Sequence, residues 1–465
     1  MSSLALMAAI AATTQPVFID RPCADQSLAK IARCGSVEVS EDRALPGGRR
    51  IRLNVILFQA TSPKPHLPPL FDIDGGPGLP VTKNAGFYAT DGAAYRARRD
   101  IVMIDQRGTG GSSPLACPEL GTPETAYRPM FPVDAVTRCR NALETTADLT
   151  RYLTHDAVTD LDSVRAALGY DRIDLFGLSY GTTVALRYLA THPTRVRAAV
   201  LMGVAPPTAM PPASHATAAE RAIRLLFAEC EADAACSKAF RPAEDFDRAL
   251  AMLRTGKAKL SPEIFAEKIR SMMYQPATAR RIPWIVHRAA IGDLEPFYEA
   301  TRPRGPSPFF DGMFLSVTCS EGLALMDYEA AAKAARATRF GDYRLRRQRA
   351  ACAAWTVGKA APDFLKPVDS SAAVLLVSGG LDPVTPPDWA ETVARSLPRA
   401  RHFVIPASGH VFDGLSGIDT CFDPLVLKFL ETADLAALDA TCLSTMRAPP
   451  FKTGPNSGSA APQSH

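Results

Sequence analysis

The chain has 465 residues, of which 47% are hydrophobic and 22% charged, and its formal net charge is +4. This is the composition of a globular protein with ample material for a core, either two or three average domains or one large α/β enzyme with insertions. The small net charge and the lack of any run of five basic residues exclude a polybasic partner surface for nucleic acid or anionic membrane.

Residues 1–20 read as a signal-like segment. An apolar run over residues 4–12 is followed by small residues; it is too short to span a bilayer, and no Lys or Arg precedes it. Ile51, Leu53, Val55 and Leu57 then alternate with polar neighbours, the period of a strand with one buried face, and residues 37–39 are a candidate partner across the Gly47-Gly48 turn. Residues 70–73 form a further strand ending in Asp74-Gly75-Gly76-Pro77-Gly78, a loop whose backbone N–H groups are free to face an anion. The apolar run at residues 101–104 predicts a fully buried strand. The stretch after it, Asp105-Gln106-Arg107-Gly108-Thr109-Gly110, is expected to be structural support with Asp105 and Arg107 paired; it lacks the lysine of a phosphate-binding G-x-x-x-x-G-K. Helical spacing over residues 154–168 stops at Gly169.

The chain is organised around Gly177-Leu178-Ser179-Tyr180-Gly181. An apolar strand precedes this G-x-S-x-G motif and a helical pattern follows it, the order in which a serine at a strained turn presents its hydroxyl above a sheet. The Tyr180 N–H, at the start of the helix, is positioned to face the oxygen of a carbonyl under attack. One more buried strand is expected over residues 196–204.

Residues 208–368 carry helical patterns broken by prolines near 303–308 and read as a helical cap inserted into a core formed by residues 21–207 and 369–447. Arg344-Leu345-Arg346-Arg347 reads as a solvated helix face. Strands return at residues 373–377, ahead of Asp382, and at 401–405, ahead of His410; residues 448–465, rich in Pro, Ser and Gly, are expected to be disordered. Ser179, Asp382 and His410 each sit just past a strand end, where open α/β sheets bind their ligands, and the order nucleophile, acid, histidine is that of an α/β hydrolase. In that chemistry His410 removes the proton from Ser179 and returns it to the leaving group, while Asp382, with Asp388 and Asp413 as the alternatives, fixes the imidazole tautomer. No metal-ligand spacing such as H-E-x-x-H appears, so neither metal nor cofactor is expected.

Ten cysteines, Cys23, Cys34, Cys117, Cys139, Cys230, Cys236, Cys319, Cys352, Cys421 and Cys442, fall into sequential couples without C-x-x-C spacing. They read as five disulfides, which requires an oxidising compartment and, with the signal-like start, predicts export to the periplasm or beyond.

Together these motifs resemble the prolyl-aminopeptidase-related serine peptidases of the α/β-hydrolase superfamily, especially the secreted tripeptidyl-aminopeptidase branch with its C-terminal region. The resemblance rests on Gly75 to Gly78, Asp105 to Gly110, Gly177 to Gly181, Gly379 to Pro387, Ser408-Gly409-His410 and the closing Cys421–Cys442 pair. It implies an α/β-hydrolase fold with a mostly parallel sheet, a Ser179, Asp382, His410 triad, and oxyanion donors at Gly76 and Tyr180. Asp74 stands where prolyl aminopeptidases often have histidine, and Leu79-Pro80 replaces small residues. An aminopeptidase also needs a carboxylate for the substrate α-ammonium; the resemblance points to Glu321, which a Cys319–Cys352 disulfide would pin. The expected activity is removal of one to three residues from the amino terminus of short peptides by a monomeric enzyme. The alternatives are an ester or amide hydrolase on small molecules and a non-catalytic binding protein; the intact triad disfavours the latter.

Overall fold

The computed structural model of the protein describes residues 16–45, 47–63 and 67–455. Residues 1–15 of the signal-like segment and 456–465 of the expected disordered tail lie outside the described residues. Among the described residues the sheet has nine strands: β1 (Phe18–Arg21), β2 (Ala32–Ser40), β3 (Arg50–Phe58), β4 (Leu70–Ile73), β5 (Ile101–Ile104), β6 (Ile173–Leu178), β7 (Val196–Met202), β8 (Ala373–Gly379) and β9 (Ala400–Ile405). Their order is β1-β2-β3-β5-β4-β6-β7-β8-β9, antiparallel from β1 through β3 to β5 and parallel from β5 onward. The expected hairpin forms, with Val37 opposite Leu53 and Val39 opposite Ile51.

Apart from Asp72, Asp174 and Arg197, the residues of the central parallel strands β4 to β7 are apolar or glycine, because helices cover both sheet faces. Ile101, Val102, Ile173, Leu175, Val200, Leu201 and Leu376 are all fully buried, and each such side chain contributes about 1.5–3 kcal/mol of transfer free energy. Two core clusters result, one on each face, while a third is formed by the helices between β7 and β8. Those helices include Pro211–Ala232, Pro242–Arg254, Pro262–Met272, Ile282–Ala290, Tyr328–Arg336 and Tyr343–Ala353. The chain is non-helical where the prolines cluster near 303–308, since proline has no N–H to offer a helix and bars the preceding residue from helical geometry. All five cysteine couples are disulfides between sequence neighbours, with separations of 11, 22, 6, 33 and 21 residues. Among the described residues no helix is long and apolar enough to cross a membrane.

Four expectations need correction. Phe18–Arg21 is a sheet strand paired with β2, so the signal-like reading does not extend to residue 20. Asp105 and Arg107 do not pair. The chain turns sharply at Gly108, and Asp105 instead accepts from Asn54 Nδ2 (2.9 Å) and Thr82 Oγ1 (2.8 Å), while Arg107 donates to Asp160 from Nε (2.6 Å) and Nη2 (2.8 Å). The basic cluster at 344–347 is not a solvated face. Arg344 pairs with Glu267 (2.8 Å) and Arg347 donates to the Met130 (2.7 Å) and Phe131 (3.0 Å) carbonyls; the helix leans on other elements with its guanidiniums, and only Arg346 pairs at the surface. Finally, the first part of the supposed tail is packed: Phe451 is buried with the Arg280 guanidinium 4.2 Å from its ring centre, and the Lys452 N–H donates to the Arg280 carbonyl (3.1 Å).

Candidate active site

β6 ends at Leu178 and the helix Tyr180–Thr191 begins two residues later, leaving Ser179 to make the whole turn with φ 57° and ψ −124°. A non-glycine residue tolerates this strained geometry only when its surroundings over-determine it. Here the Ser179 N–H donates to the Met202 carbonyl (2.9 Å) and its carbonyl accepts from the Thr182 N–H (2.8 Å). The flanking glycines follow from the same crowding. A Cβ on Gly181 would run into the Ile73 carbonyl oxygen, and one on Gly177 would stand 2.9 Å from the Gly181 oxygen.

The loop after β4 lies against this serine. A Cβ on Gly75 would come within 2.7 Å of Ser179 Cβ and 3.2 Å of its Oγ, so only glycine permits the approach. Gly76 has φ 110°, outside the range of other L-residues. The loop is held from both sides: Asp74 pairs with Lys83 (3.1 Å), and the Gly78 carbonyl accepts from the Phe310 N–H (2.9 Å).

Asp382 and His410 follow β8 and β9. Asp382 is fully buried and its carboxylate is saturated: Oδ1 accepts from the Val384 (2.8 Å) and Thr385 (2.9 Å) N–H groups, and Oδ2 accepts from Thr385 Oγ1 (2.7 Å) and pairs with His410 Nδ1 (2.8 Å). An acceptor at Nδ1 places the imidazole proton there and leaves Nε2 as the acceptor. The ring is fixed edge-on to Tyr274 with centroids 5.0 Å apart, and Gly203 leaves it room, since a Cβ there would lie 3.0 Å from His410 Cε1. Among the described residues no hydrogen bond joins Ser179 to His410. Both border one cavity of about 730 Å³, together with Gly76 and Tyr180, and such bonds are often long before substrate binds.

Glu321 borders the same cavity, next to the Cys319–Cys352 disulfide. It is buried, and its oxygens accept from the Thr154 N–H (2.9 Å) and from Thr154 Oγ1, which is itself 2.8 Å from the Tyr180 hydroxyl. Burial raises the Glu321 carboxyl to about 7, against the lowering effect of the Thr154 donors. A chain of polar groups therefore runs from Glu321 through Thr154 to the residue whose N–H is the expected oxyanion donor.

Sequence reasoning missed Thr385 and Tyr274, which brace the histidine, and Asp311. The Asp311 carboxylate lines the cavity, makes no hydrogen bond or ion pair with any described residue, and is raised to about 7 by burial. The only local signal was an acidic residue directly after two phenylalanines. A second cavity of about 1390 Å³ adjoins the first and shares Met130, Phe131, Lys268, Asp311 and Arg344 with it. Among the described residues no group of three or more His, Cys, Asp or Glu side chains is arranged to hold a metal ion.

Several known proteins are similar to this chain. It is 31% identical over 205 residues to a tripeptidyl aminopeptidase of Streptomyces lividans, covering 40% of this chain and 37% of that protein. It is 31% identical over 233 residues to the serine protease Hip1 of Mycobacterium tuberculosis, covering 46% and 44%. A proline iminopeptidase of Neisseria gonorrhoeae is 32% identical over 149 residues, covering 32% and 36%. The chain thus spans less than half the length of each of these relatives. The profile of the family described as alpha/beta hydrolase fold matches residues 68–412, which take in the serine, aspartate and histidine together. With the parallel sheet and the elbow serine, this establishes that the chain belongs to the α/β hydrolase fold family.

Proposed function

We propose that the protein is an exported serine hydrolase that removes residues from the amino terminus of short peptides through an acyl-enzyme. The observation that carries this reading is the saturated Asp382–His410 pair facing the same cavity as the strained Ser179. In the proposed mechanism Ser179 Oγ attacks the scissile carbonyl as His410 Nε2 takes its proton, and Asp382 holds the tautomer and stabilises the imidazolium. The N–H groups of Gly76 and Tyr180 receive the oxyanion, an arrangement in which a single donor is worth about 10²–10³ in rate. His410 then protonates the leaving amine, and water releases the acyl group by the reverse sequence.

The peptidase assignment draws support from the tripeptidyl aminopeptidase, the serine protease and the proline iminopeptidase that the chain resembles. Residues 208–368 act as the cap that limits substrate length. Of the two acidic candidates for the substrate α-ammonium, Asp311 has a free carboxylate, whereas Glu321 is engaged by Thr154 and supports the elbow helix. Export is supported by the five disulfides, which persist in oxidising compartments. The test compares a peptide anilide bearing a free amine with its acetylated form. Loss of cleavage on acetylation supports an aminopeptidase, and equal cleavage points to a general ester or amide hydrolase. Fluorophosphonate labelling that persists in Ser179→Ala would refute the nucleophile.

A further inference from the structure

One wall of the cavity carries more positive charge than it neutralises. Arg270 and Arg344 both turn to Glu267: Arg270 Nε donates to Glu267 Oε2 (3.1 Å), as do Arg344 Nε (3.0 Å) and Nη2 (2.8 Å). Burial by itself would raise the Glu267 carboxyl, but the two guanidiniums overcome it and hold it at about 2. Two cations on one carboxylate leave a net charge of +1 in a place where Arg270 is only 3% exposed. Among the described residues, Arg270 Nη2 and Arg344 Nη1 make no hydrogen bond, and both arginines line the cavity.

Two more side chains there lack partners. Gln348 is 1% exposed with its Oε1 unbonded, and the buried Nδ1 of His215 is likewise unbonded. His215 is held well below its ordinary value, mainly by burial and further by Arg344 and Arg270, so it stays neutral and is an acceptor at one nitrogen. A strut between helices would balance its charges and satisfy its polar atoms; buried groups left this way need an explanation, and a charged ligand is one that also answers the surplus on the guanidiniums. That ligand must bring negative charge for the guanidiniums and N–H donors for the acceptors.

The position of the cluster says which end of a substrate it meets. Arg270 Nη1 donates to the Tyr274 hydroxyl (3.1 Å), and the Tyr274 ring packs against His410. A single side chain therefore separates the guanidinium from the imidazole that protonates the leaving amine.

We propose that Arg270 and Arg344 form a carboxylate subsite on the leaving-group side of the cavity, with Gln348 and His215 accepting from backbone N–H groups of the same segment. The proposal rests on the aminopeptidase reading and adds to it a preference for peptides whose departing part ends in, or carries, a carboxylate close to the scissile bond.

The experiment measures binding to the Ser179→Ala protein by calorimetry, using Ala-Ala-Ala-Ala with a free C-terminus, its C-terminal amide, and Ala-Ala-Ala-Asp amide. The free acid should bind tighter than the amide by about tenfold or more, as expected for a charge-assisted contact. That preference should disappear in Ser179→Ala/Arg344→Met, which leaves Arg270 and Glu267 as a neutral pair. Should that variant not fold, Arg344→Gln, which keeps a hydrogen-bond donor for Glu267, carries the same expectation. Recovery of affinity by the aspartyl amide assigns the carboxylate to a side chain and supports the subsite equally. Equal affinities of acid and amide, or a preference that survives loss of Arg344, overturn it. Hydrolysis of a neutral, free-amine peptide anilide by the unaltered enzyme is measured alongside. Its failure would count against the aminopeptidase reading, while the calorimetry still decides the subsite.

Discussion

Glu321→Gln offers a sharp test of how the polar chain beneath the elbow helix is built. The Glu321 carboxyl moves from an ordinary 4.5 to about 7 on folding because burial disfavours its charge. Between these values the folded state holds a proton that the unfolded chain has released, so stability falls as pH rises through this window and the loss is complete above about 7. The shift corresponds to about 3 kcal/mol at 1.36 kcal/mol per unit. Glutamine keeps an oxygen for the Thr154 N–H and cannot ionise. Relative to the wild type, Glu321→Gln should therefore gain about 3 kcal/mol between pH 4.5 and pH 8. Denaturant unfolding with the disulfides intact, run on both proteins at each pH, measures this. Comparing the two proteins also cancels Asp72 and Asp311, whose carboxyls burial likewise raises to about 7. A stability difference between variant and wild type that is the same at both pH values would refute the reasoning.

Three further outcomes are expected. Asp160→Asn leaves the fully buried Arg107 without its bidentate carboxylate, and breaking such a buried pair from one side should cost about 3–5 kcal/mol in denaturant unfolding. Gly181→Ala sets a methyl group against the Ile73 carbonyl oxygen; soluble protein with normal fluorophosphonate labelling would contradict the crowding described at the elbow. Removing the Cys319–Cys352 bridge by double alanine substitution opens a loop of 33 residues and should lower stability by about 3–4 kcal/mol in the chain-entropy account, an effect read from the denaturation midpoint.

Much of the core was legible because its signals are local. The strands Arg50–Phe58, Leu70–Ile73 and Ile101–Ile104 lie where alternation or apolar runs put them, the first two between Gly and Pro punctuation and the third between charged residues. Ser179, Asp382 and His410 were legible because a strand end is visible in sequence and this fold concentrates its chemistry there. What escaped were side-chain partnerships across long separations. Arg107 finds Asp160 53 positions away, and Arg344 finds Glu267 77 positions away; neither leaves a trace in spacing, which offers Arg107 only its neighbour Asp105 and Arg344 only solvent. The charge surplus at Arg270, Arg344 and Glu267, like the unpaired Asp311, exists only once the helices between β7 and β8 are packed together.

The disulfides carry a consequence for how the molecule is made. Each cysteine is bonded to the next one along, and no bridge encloses another. Under the proposed export, a nascent polypeptide threading amino-end first into an oxidising space would present each thiol with its proper mate before a competitor arrives. Maturation then calls for an oxidant but little reshuffling, and a pause in synthesis between couples leaves no thiol without its mate.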